Sequence, residues 1–230
     1  YLRNIKTPIS GVDKSLAKRT GKFKLLEDGT LEGTVNVEYT GHLSHLEKLD
    51  NYDKSPAKRE ELLTEEIKSR MSTAEVSDIS FENIMDTEKP FSYQYKIRIP
   101  NYAAKTGKRL FLQPGFFEYG SKPLFSSATR KYPIYFHFGW SEQDNLEIEL
   151  PKVFELDNAE TPGDVADPRN IGSLNIRIAV DKENNILKYN RKFHFGNGFY
   201  LFPTSSYSAL KDLFDSFNKA DLHTITLKQN

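Results

Sequence analysis

Residues 91–100, "FSYQYKIRIP", place Tyr93, Tyr95, Ile97 and Ile99 at alternate positions, with Gln94, Lys96 and Arg98 between them. Alternate side chains of an extended chain point to opposite faces, so this stretch buries one face and wets the other as a β-strand. The same period runs through "EDGTLEGTVNVEYTG", where Leu31, Val35, Val37 and Tyr39 oppose Glu32, Thr34, Asn36 and Glu38, and Asp28-Gly29 is the turn back to Phe23–Leu26. It returns at Leu146, Ile148 and Leu150, and again at Leu174, Ile176, Ile178 and Val180, after which Asp181–Asn185 reads as a reversal. Val76, Ile79 and Phe81, then Arg109–Leu112, add shorter strands.

Helical spacing is confined to a few segments. Leu43, Leu46 and Leu49 follow Gly41 at three-residue steps. In "SPAKREELLTEEIKSRM" Ser55 is the N-cap and Pro56 the first helical residue, and Leu63, Ile67 and Met71 form one stripe. Near the end Tyr207, Leu210, Phe214, Phe217 and Asp221 track three to four apart, before a short strand at Ile225–Leu227.

The expected fold is therefore mainly β, with two β-sandwich-like (Ig-like) modules and a few accessory helices, for which 230 residues suffice. Pro114, Gly115, Gly120 and Pro123 gather with little periodicity, which sets the boundary near residue 120. Residues 1–19 read as a connecting segment, 20–120 as a module with inserted helices, and 121–230 as a second module with a C-terminal helix. Residues 132–151, "YPIYFHFGWSEQDNLEIELP", read as a hairpin with "GWSEQDN" as its turn.

Several function classes are disfavoured at once. Lys+Arg and Asp+Glu number 32 each, so no net field draws the chain to nucleic acid. No transmembrane segment is expected, because no apolar run approaches the roughly 18 residues that cross a bilayer. The opening "YLRNIKTPIS" is neither a signal peptide nor a Met start, and reads as that of a mature product or an excised piece. Without cysteine there is no disulfide, thiolate metal site or thiol nucleophile.

His137 and His194 sit among strand aromatics, where a catalytic pair competes with two ordinary half-polar strand residues. His42 and His45 have a spacing that places two imidazoles on one side of a helix, but the further spacing of a zinc-protease helix is missing. Asp157, Asp164 and Asp167, or Asp181 with Glu183 and Asn185, are oxygen ligands without an EF-hand pattern. No metal or cofactor is expected. No Gly-x-Ser-x-Gly elbow or Gly-rich phosphate loop occurs. Trp140 with Tyr135, or Phe116, Phe117 and Tyr119, are the candidates for an aromatic platform that takes a glycan or peptide; core packing is their other use.

The ordered set "DGTLEGTVNVEYTG", "EVSDISFENIMDTEKPFSYQYKIRIPNYA", "LFLQPGFF", "RKYPIYFHFGWSEQDNLEIELPK" and "YSALKDLFDSFNKADLHTITLK" resembles the C-terminal region of a bacterial family common in Bacteroidota. Its members join an N-terminal β-domain of unknown function to a transglutaminase-like core and then to this β-rich tail. The resemblance, from about Thr7 onward, implies a non-catalytic accessory region. Its partner would be an upstream transglutaminase-like domain of the same polypeptide, in a periplasmic or secreted protein. The thiol chemistry of such a core finds no cysteine here. A free-standing glycan- or peptide-binding module, and a small hydrolase or metal enzyme, are the alternatives.

Overall fold

The computed structural model describes residues 10–158 and 160–229. In chain order the elements are β1 (Leu16–Leu25), β2 (Leu31–Tyr39), α1 (Gly41–Asn51), α2 (Pro56–Arg70), β3 (Glu75–Glu82), β4 (Phe91–Ile99), β5 (Ala104–Thr106) and β6 (Arg109–Leu112). Then follow β7 (Ile134–Tyr135), β8 (Trp140–Glu149), β9 (Phe154–Asn158), β10 (Val165–Ala166), β11 (Gly172–Asp181), β12 (Ile186–Phe195), β13 (Leu201–Phe202), α3 (Tyr207–Asp221) and β14 (Ile225–Gln229). The protein is mainly β, as expected.

An eight-stranded sheet in the order β10-β11-β12-β8-β1-β2-β4-β3 dominates, beside a four-stranded sheet β5-β6-β14-β9 and the β7-β13 ribbon. Neighbours in the large sheet are antiparallel except β1 and β8, which run parallel with Arg19 opposite Asp144 and Phe23 opposite Ile148. Strands from both sides of residue 120 share this sheet, so the two expected modules meet across the β1-β8 pair. β1 begins at Leu16, inside the 1–19 segment expected to connect, while Tyr1–Ile9 lie outside the described residues.

One face of the sheet carries the core. Phe23, Leu25, Leu31, Val35, Ile97, Leu146, Ile148, Leu174 and Leu187 are buried on it. Against that face pack Leu63, Ile67 and Met71 of α2, Leu110, Leu112, Ile225 and Leu227 of the small sheet, and Leu210, Phe214 and Phe217 of α3, all in one continuous cluster. The opposite face is polar and uncovered.

Two local features rest directly on side-chain and backbone chemistry. Ser55 Oγ accepts from the Lys58 amide at 3.3 Å with Pro56 opening α2. Gly29 has φ +87° in the β1-β2 turn, and a Cβ there would stand 2.1 Å from the Ala103 carbonyl oxygen. The 132–151 hairpin is a correction. From Trp140 on, "GWSEQDN" is not a turn but the first part of β8, which pairs with β1 and β12, while Ile134 and Tyr135 pair with Phe202 and Leu201. The reason is that Glu142 and Asp144 occupy inward positions of β8, where their charge breaks the apolar alternation that marks a strand.

Candidate functional site

The inner face of the sheet holds a feature that apolar patterning does not expose. Continuing inward from Phe23, β1 presents Arg19; β8 presents Asp144 and Glu142 beyond Leu146; and β12 presents Arg191 between Tyr189 and Phe193. Glu118, in the turn of residues 116–118, and Asp221, the last residue of α3, close over them. Asp144, Arg191 and Asp221 are 2%, 3% and 5% exposed.

The contacts are ionic and directional. Arg19 grips Asp144 with Nε at 2.6 Å and Nη2 at 2.9 Å, and Nη2 also donates to Glu118 at 2.9 Å and to Glu142 at 3.1 Å. Arg191 grips Asp221 with Nε at 2.7 Å and Nη2 at 2.9 Å, and its Nη1 donates to Glu142 at 2.6 Å. Trp140 Nε1 donates to the second Glu142 oxygen at 3.0 Å, so Glu142 joins both arginines and the indole. Such two-pronged pairing suits the fixed guanidinium fork. Arg19 also lies over the Phe117 ring at 4.8 Å, and Arg191 over Phe193 at 5.2 Å.

Four carboxyl groups thus meet two guanidiniums. Burial pushes Asp221 up to about 6 despite its hydrogen bonds from Arg191. Burial likewise raises Asp144, an effect that Arg19 and Arg191 offset only in part. For Glu142 burial acts in the same sense, but the attraction of Arg19 and Arg191 outweighs it and holds the carboxyl below its ordinary value. Both arginines lose hydration, yet the carboxylates around them keep them above the ordinary range. The arrangement ties β1, β8, β12, the 116–118 turn and α3 together. Each of its carboxyl groups is paired with an arginine, and the arginines are faced by Phe117 and Phe193.

The residues singled out in the sequence are spread over several places, with Trp140 and Phe117 against the charge cluster. Phe116 is fully buried, its ring 4.7 Å from that of Phe23. Trp140 is half-buried against Phe136, Phe193 and Phe195; Tyr119 packs on Tyr102; Tyr135 is exposed and edges onto His137. Phe117 meets Phe116 edge to face at 5.2 Å, and Tyr102 joins Phe116 to Tyr119, so Phe116, Phe117 and Tyr119 pack as one group. His137 and His194 are not joined: His194 Nδ1 shares a hydrogen bond with Ser173 Oγ at 3.0 Å. His42 stacks on Phe138, whereas His45 lines a cleft of about 660 Å³ between α1 and residues 84–90.

The acidic loops are engaged within the chain. Asp157 pairs with Arg109, Asp164 with Arg177 and Asn175, and Asp167 accepts from the Arg169 amide, while Asp181 bonds Asn184. Among the described residues no three His, Asp or Glu side chains gather as a metal site.

A second feature lies at the end of the large sheet where β1, β4 and β8 begin. Leu46, Leu49 and Tyr52 of the α1 region and Met85 are exposed on one side; Tyr132, Tyr135, Phe199 and Leu201 are exposed around the β7-β13 ribbon. These are eight of the twelve exposed large apolar side chains among the described residues, so the apolar surface is concentrated at this end. Tyr200 Oη donates to the Ser10 carbonyl at 3.4 Å, which places the entry of the described chain beside the ribbon.

None of the curated proteins and none of the solved structures compared with the chain matches it. A family model described as a domain of unknown function with solved-structure structure, DUF3858, matches residues 108–227. That span runs from the start of β6 into β14 and includes Glu118, Glu142, Asp144, Arg191 and Asp221, leaving Arg19 outside. The matched stretch exceeds half of the 230 residues, and the chain belongs to the DUF3858 family.

Proposed function

We propose that the chain is a non-catalytic accessory module that docks by its apolar end on a separate folded domain and helps to present substrate to it. The carrying observation is the concentration of exposed apolar side chains at one end of the large sheet, beside Ser10. Scattered exposed apolar residues are ordinary, but a cluster on one face marks an interaction surface. The closed charge cluster supports the non-catalytic part, because each of its carboxyl groups is engaged by an arginine and the pairs hold its elements together. The resemblance to tails of Bacteroidota proteins supports the identity of the partner: an upstream transglutaminase-like domain of the same polypeptide, in the periplasm or at the cell surface.

The test is to capture the native polypeptide from its source with an antibody to this chain, weigh it and cross-link it through lysines. The expected result is a mass far above 26.5 kDa, with upstream peptides that contain Cys and His joined to Lys14, Lys89 or Lys131 near the apolar end. A mass near 26.5 kDa in newly made protein overturns the reading. So do cross-links confined to Lys105, Lys108 and Lys152 at the opposite end.

A further inference from the structure

The uncovered face of the eight-stranded sheet carries an ordered row of neutral polar side chains. The pairings place Asn190 of β12 beside Asn145 of β8, then Thr20 of β1, Asn36 of β2 and Gln94 of β4, so the five stand in register across five adjacent strands. Strands lie about 4.8 Å apart, which gives the row a length of about 19 Å. We infer that this row is a binding site for a linear, neutral polysaccharide.

Three observations carry the inference. Asn is depleted in strands, yet here Asn occupies the middle of three of the sheet's central strands, and Gln a fourth. Residues that break local preference without an internal gain are those expected at functional positions. Second, none of the four side-chain amides hydrogen-bonds to another described residue, although each offers donors and an acceptor. Hydroxyls along a sugar chain also donate and accept, so an amide row is complementary to them. Third, clefts of about 290 and 350 Å³ meet at Thr20 and Asn36, so the row lies in a continuous trough.

Charge selects a neutral ligand. The charged side chains that line the two clefts are balanced, Lys18, Lys22 and Lys188 against Glu38, Glu82 and Glu147. That balance leaves no extended field of one sign along the trough to draw an acidic or basic polymer. The row is separate from the apolar end, so this inference does not rest on the docking proposed above.

The experiment is native electrophoresis of the chain through gels that hold a soluble β-1,4-glucan, an α-1,4-glucan or a galactomannan, with acidic polysaccharides and an extended polar peptide as competitors. At least one neutral polysaccharide is expected to retard the chain. The Asn36→Ala/Asn145→Ala variant, which loses the amides at the middle of the row, is expected to bind about tenfold more weakly. Asn190→Asp, on a third strand, reports independently and is expected to weaken binding in the same direction. Both variants should keep the parent's thermal unfolding midpoint, since all three side chains are exposed. No retardation by any neutral polysaccharide, retardation unchanged in both variants, or stronger retention by an acidic polysaccharide or the peptide overturns the inference.

Discussion

Arg191 holds the buried charges in place because one guanidinium serves Asp221 in two-pronged fashion and Glu142 as well. Removing it would leave carboxyl groups buried without a counter-charge. Arg191→Met is therefore expected to lower unfolding stability by about 3–5 kcal/mol, measured by urea denaturation. Asp221 tests the same cluster without a large perturbation: carboxyl ¹³C NMR should find its titration midpoint near 6, and a midpoint in the ordinary aspartate range would contradict the crowding described. The sign of its effect on stability follows. The unfolded chain ionises this group from about pH 4 upward while the fold still keeps the proton, so its contribution turns unfavourable as pH rises to about 6 and is constant above. Glu142 works the other way. Its carboxyl is held low, so it adds stability above the ordinary glutamate range and loses it as pH falls through its lowered value.

At the scale of elements, α3 is the clearest case of pattern becoming structure. Tyr207, Leu210, Phe214, Phe217 and Asp221 lie on its buried face, as their spacing indicates. The Phe214 ring meets Phe125, Phe136, Phe195 and Phe217, so Phe214→Ala should cost about 3–5 kcal/mol in chemical unfolding. Gly29→Ala should cost at least about 1 kcal/mol by the same measure, since its positive φ and the Ala103 carbonyl both oppose a side chain. The β4, β6 and α2 segments were legible for similar reasons: simple periods and a standard cap. The first half of β8 was not. Its inward Glu142 and Asp144 look like turn residues until Arg19 and Arg191 are known to face them, and those partners are 123 and 49 residues away from Glu142 in the chain. Arg19 and Arg191 were hidden for the same reason, because polar residues inside a sheet are recognised only with their long-range partners. Asp221 was the partial exception, since the helical stripe already put it inside.

For the molecule as a whole, the large sheet separates two kinds of surface. Its inner face is sealed by α2, α3 and the small sheet around one core, while its outer face bears paired charges and the amide row. Eight of the twelve exposed large apolar side chains among the described residues gather at one end. Single strands could show which residues face out, but only the strand order shows that α1, residues 84–90 and the β7-β13 ribbon share that end. The balance of 32 acidic and 32 basic residues fits a surface whose specificity comes from placement and not from net charge. The docking proposed for this end is tested most directly by hydrogen exchange in the native polypeptide that carries this sequence against the 230-residue chain alone. The predicted result is added protection in the native polypeptide over residues 41–52, 83–90 and 132–137, with residues 26–30 and 182–185 at the opposite end unchanged; equal exchange of all five segments in both would contradict it.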